Sequence, residues 1–144
     1  MIATVKGNQI KITREYITGR SGDNAMERLS GHMNIEYAEL VRQPVLDAAR
    51  APEEAFIQLL TAVHIVYGSS DYAVCREIGR NLAKESISKF YRIFIKFGDP
   101  MFVVQRSGNF WKTIHNTGNL KFEPAGDKKA RGRLSEFPFH NKAF

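Results

Sequence analysis

Cysteine is almost missing from this chain. Cys75 is the only one, which excludes an internal disulfide and suits a reducing compartment. Long apolar runs are missing too: every hydrophobic stretch is broken by charge before it reaches the length of a membrane span. The opening MIATVKGNQIKITRE has no uninterrupted apolar core of the kind a secretory signal needs. The expectation is a cytoplasmic protein with no membrane partner. Repeats, low-complexity stretches and linkers are also lacking. With 43% hydrophobic and 25% charged residues the composition is that of a folded protein, and 144 residues suit a single domain spanning 1–144.

The motifs of common enzyme chemistry are equally scarce. No Gly-x-Ser-x-Gly elbow and no Gly-x-x-x-x-Gly-Lys phosphate loop occurs. His32, His64, His115 and His140 have neither i,i+4 nor Cys-x-x-Cys company, so no metal is expected. Glu53 and Glu54 sit where a helix begins, and dipole compensation accounts for them. The chain is expected not to be an enzyme, with no catalytic residue and no cofactor.

What the first half lacks in positive charge the second half supplies. Residues 1–75 carry seven Lys or Arg against nine Asp or Glu; residues 76–144 carry fourteen against six. Eleven of the sixteen aromatic residues lie from Phe90 onward. A basic, aromatic-rich half is the footprint of a phosphate or nucleic-acid binder. Without an RNP, KH or zinc-finger pattern, the reading preferred from sequence is aromatic core with solvated Lys and Arg outside. Nucleic acid is therefore the alternative partner, with Lys128, Lys129, Arg131 and Arg133 as its basic patch.

The apolar spacing predicts helices first and strands last, an α+β chain helical over 8–114 with a β-hairpin at about 118–138. Gly19 and Gly22 bracket the end of the first helix, Asp23 caps the second, and Pro44 breaks the stretch 35–51. Pro52 opens a helix carrying Phe56, Leu59, Leu60, Val63 and Val66, which Gly68 stops. A long helix follows over 72–98, where Gly79 suggests close approach of another backbone. Asp99-Pro100 starts the next helix, to Ile114. Then the period changes: 118-GNLKFEP-124 and 130-ARGRLSEFP-138 alternate as strands around 125-AGDKK-129.

Four stretches, 5-VKGNQI-10, 76-REIGRNLAKESISKFYRIFIKFGDPMFV-103, 109-NFWKTIHNTGNLKFEPAG-126 and 133-RLSEFP-138, together resemble an uncharacterised bacterial family. That family is related to the 4-vinyl-reductase domain and to the ligand-binding superfamily of H-NOX sensors and TRAPP transport subunits. The Gly-x-x-Leu-Ala helix, the Gly-Asp-Pro helix start and the Phe-Trp … Thr-Gly entry to the sheet carry the likeness. It implies N-terminal helices packed on a small antiparallel sheet, no established activity, and a ligand-sensing or protein-interaction role in bacterial signalling.

The superfamily's cavity lies between the long helices and the sheet, so the resemblance makes Phe90, Phe94, Phe110, Trp111 and His115 the expected walls of a pocket for a small apolar ligand. Haem is not expected: His64 lies on a helix, but no Tyr-x-Ser-x-Arg string accompanies it. Relatives continue past the second strand into closing strands, whereas this chain stops at Phe144. The expectation is a sheet edge covered by a protein partner or, in a homodimer, by a second copy, with Phe137, Phe139 and Phe144 at the interface.

Overall fold

The computed structural model describes residues 1–68, 71–94 and 100–139, with backbone alone for 87–94 and Pro100. In chain order, its elements are β1 (Thr4–Lys6), α1 (Gly7–Ser21), α2 (Ala25–Ser30), α3 (Ile35–Arg42), β2 (Arg50–Pro52), α4 (Glu53–Tyr67), α5 (Ala73–Phe94), α6 (Pro100–Ile114), β3 (Asn119–Gly126) and β4 (Lys129–Ser135). The chain is α+β, and its strands form two separate antiparallel ribbons, β1–β2 and β3–β4.

The helical body is organised around α4, whose sequence EEAFIQLLTAVHIVY is apolar on almost every side. Such a helix lowers its free energy only when covered on several faces. It is: Leu59, Ala62 and Val63 are sealed from solvent, against Ile10 and Ile17 of α1, Leu29 of α2, Val41 of α3 and Ile78 of α5. Acidic Glu53 and Glu54 stand in its first turn, where the helix dipole favours them.

Loops are held by groups the sequence places at the right distance. Gln43, preceding Pro44, is extended (ψ 157°) and ends α3. Arg14 then reaches across from α1 to donate to the carbonyls of Val41 (3.1 Å) and Gln43 (2.6 Å), filling acceptors that the helix end leaves open. Gly7 must be glycine, because a Cβ there would sit 2.3 Å from the Leu46 carbonyl oxygen. Tyr16 donates to Glu77 (2.9 Å) and ties α1 to α5. That bond, followed by the neighbouring Arg20 guanidinium, holds the Glu77 carboxyl below its ordinary range. Burial pushes the Cys75 thiol up.

Several expectations change. The three-residue strands β1 and β2 were not foreseen, since neither alternates over enough residues to be legible. They pair in the register Thr4↔Pro52, Val5↔Ala51, Lys6↔Arg50, bringing the chain start beside the start of α4. Helices α1 to α5 pack mainly on one another, and α6 packs on β3 of the hairpin. Among the described residues, nothing outside its own helix lies within 4 Å of a Cβ built on Gly79, so the expected close approach of another backbone is not found there. Asp99, the expected cap of α6, lies outside the described residues. The hairpin forms where the sequence places it, with Leu120↔Leu134, Lys121↔Arg133, Phe122↔Gly132 and Glu123↔Arg131 opposite one another. Among the described residues, no helix is long and apolar enough to cross a membrane.

Candidate functional site

The chain returns to its own beginning just after α6. Arg50 of β2 donates to the carbonyls of Ile114 (2.7 Å) and Thr113 (3.1 Å), so a guanidinium fills acceptors that the end of α6 leaves open. His115 then lies against Val5 as an isolated antiparallel bridge. Asn116 replaces a strand neighbour: its backbone N–H donates to Thr4 O (3.1 Å), its Oδ1 accepts from Thr4 N–H (2.6 Å), and its Nδ2 donates to Ile2 O (2.9 Å).

This seam lowers His115 onto Glu53. Glu53 is completely buried and His115 is 8% exposed. A carboxylate only accepts, so His115 Nδ1–H donates to Glu53 Oε1, while Thr117 Oγ1–H donates to Oε2 at 3.1 Å. Both carboxylate oxygens are thereby satisfied inside the protein, at the N-terminus of α4, where negative charge is favoured.

Aromatic packing fixes the plane of the imidazole. Trp111, one turn earlier on α6, stacks on His115 at 4.0 Å and 15°, and its indole N–H donates to Thr117 O at 2.8 Å. Phe137, returning after β4, stands edge-on to both rings, 5.4 Å from Trp111 and 6.0 Å from His115. Gly118 makes room for this cluster. Its φ is +81°, and a Cβ would sit 3.0 Å from Trp111 Nε1.

With Nδ1 committed to Glu53, Nε2 is the free face of His115. It makes no hydrogen bond with a described residue and is not sealed from solvent. His115 forms part of the wall of an open cleft of about 400 Å³, with Lys112, Asn116, Thr117, Asn119 and Glu136. Asn119 Nδ2 donates to Glu136 Oε2 at 2.5 Å, and Glu136 holds an uncommon positive φ of 55° to stay there. A cation, a carboxylate, two amides and an imidazole thus face one small volume. Among the described residues, no three His, Cys, Asp or Glu gather to hold a metal ion.

Of the expected pocket residues, Trp111 and His115 meet here. Phe110 is half-buried on α6, and the side chains of Phe90 and Phe94 on α5 lie outside the described residues. The walls of this cleft are polar, because the helix end and the strand start bring in amides and charged groups. Phe137 is buried against Trp111 and His115, and Phe139 packs edge-on to it at 5.9 Å. Of the residues assigned to an interface, Phe137 is thus packed against its own chain and Phe139 is half-buried; Phe144 lies outside the described residues. Lys128, Lys129, Arg131 and Arg133 stand exposed on the ribbon. His64 is half-buried and stacks on Tyr72 at 3.9 Å.

Glu53 is the residue the sequence reading passed over. Its place in a helix first turn explained it fully, and its partner lies 62 positions away, so no local pattern links them. Comparison with protein-family models, with curated proteins and with solved structures finds no match.

Proposed function

We propose that this chain is a non-catalytic ligand-sensing domain in bacterial signalling, binding a small polar molecule in the cleft beside His115. The observation that carries the reading is the buried Glu53 carboxylate holding His115 while leaving its Nε2 free at a polar cleft. A buried hydrogen-bonded pair adds little stability over apolar residues of the same shape, so its presence favours a role for the imidazole itself. The position supports sensing: the cleft lies where the helical body, through β1 and α4, meets α6 and the β3–β4 ribbon. A ligand that bridges His115 and Asn119 would touch both parts. Cytoplasmic placement agrees with the lone thiol of Cys75.

Amide NMR spectra recorded with a set of small carboxylates, amides and amines test this. Binding fragments are expected to shift the Trp111 indole signal and the amides of residues 112–119, and to lose that effect in His115→Phe. Shifts that map elsewhere, or that survive His115→Phe, overturn it.

A homodimer is the second reading, favoured by one observation: among the described residues, β3 and β4 pair only with each other, leaving both outer edges of the ribbon without strand partners. An isolated two-stranded ribbon is marginal in water, and pairing with a second copy would support it. Sedimentation at micromolar concentration is expected to show a dimer; a clean monomer of 16.4 kDa removes this reading.

A further inference from the structure

The charged face of the β3–β4 ribbon is a surface that the cleft does not involve. Side chains alternate across a strand, so the register puts Lys121, Glu123, Arg131 and Arg133 on one face and Leu120, Phe122, Ala130 and Leu134 on the other. Leu120 and Phe122 are half-buried, whereas all four residues of the charged face are exposed. Lys128 and Lys129 add two cations at the tip. None of these five basic residues takes part in an ion pair among the described residues.

The placement of charge costs stability. Lys121 stands directly opposite Arg133, and like charges in that relation destabilise a strand pair. A two-stranded ribbon has little stability to spare. From sequence alone the Lys and Arg residues read as solvated surface. The register shows them concentrated on one narrow face, Lys121 opposed to Arg133, with Glu123 the single acid on that face, opposite Arg131 but in no ion pair with it. A polyanion relieves that repulsion.

We propose that this ribbon face binds duplex DNA, chiefly through its phosphates. Two features favour a duplex over an acidic protein. A two-stranded ribbon has a cross-section that the major groove, roughly 12 Å wide, admits. A duplex also presents one negative charge per roughly 1.7 Å of its axis. The seven residues of β4, at about 3.3 Å each, run roughly 23 Å along it. An acidic peptide strand of that length carries fewer charges. Guanidinium groups at Arg131 and Arg133 suit phosphate oxygens through paired donors, while Glu123 on the same face keeps the affinity modest.

Fluorescence anisotropy of a labelled duplex titrated with the full chain tests the proposal. If all five cations engage phosphate, the logarithm of the binding constant falls with the logarithm of salt at a slope of about −4.5. Between about 50 and about 200 mM salt that is a loss of about 500-fold. The double variant R131Q/R133Q is expected to reduce the steepness by about 2, and K128Q/K129Q to do the same. All four side chains are exposed, and unchanged Trp111 emission checks that each variant remains folded. Absence of binding at low salt overturns the proposal. So does a slope that neither double variant alters, or displacement of the DNA by polyglutamate at equal charge concentration.

Discussion

Glu53→Ala is expected to lower the unfolding free energy by about 2–4 kcal/mol: about 1–3 for the buried His115 donor left without an acceptor and about 1 for the buried methylene removed. The size follows from what remains behind. Glu53 is wholly buried, and its two oxygens accept from His115 Nδ1 and Thr117 Oγ1. Truncation leaves the buried imidazole donor and the part-buried Thr117 hydroxyl without their acceptors. Because marginal stability is typically about 5–15 kcal/mol, a large share would be lost. Urea unfolding followed by the emission of Trp111, the only tryptophan, reads the effect beside the pair. Glu53→Gln keeps the shape and one acceptor, so the His115 bond survives while the Thr117 bond must reverse, and it is expected to cost roughly half as much. A loss below about 1 kcal/mol for Glu53→Ala would show that the pair is solvated and not the tie described here.

Gly108→Ala is expected to destabilise by about 2 kcal/mol, although alanine is the better helix former. In the interior of a free helix the exchange gains about 0.5–1 kcal/mol. Here a Cβ would lie 2.4 Å from the carbonyl oxygen of Leu120, a backbone atom that moves only if β3 moves. Overpacking of this kind typically costs about 1–3 kcal/mol, and the ribbon would lift from α6. Gly79→Ala is the control. Among the described residues nothing outside its own helix lies within 4 Å of its would-be Cβ, so that substitution is expected to stabilise by about 0.5–1 kcal/mol. Chemical unfolding of both variants decides the matter: two changes of the same sign would mean that helix propensity, and not the α6–β3 contact, governs position 108.

These glycines show where local reading stops. Both sit inside helices predicted from apolar spacing, and both helices formed. Sequence pattern treats the two alike and even favoured Gly79 as the point of close approach. Only the path of β3 separates them, because the atom that excludes a side chain at position 108 belongs to residue 120.

The same division runs through the whole protein. Helices α4 and α6 and the β3–β4 hairpin were legible because their signals are short-range: apolar residues three and four apart, a proline at a helix start, alternation around a turn. The lone cysteine and the basic second half were legible from composition. The tertiary structure decided the rest. It set β1 against β2 and turned Phe137 inward on Trp111. It also joined Glu53, which looked like an ordinary first-turn acid, to His115 across 62 positions. Local sequence determines which backbone shape a segment prefers. Which buried polar group satisfies which other depends on how distant segments are brought together, and the need to pair every buried donor and acceptor is met only in the folded chain.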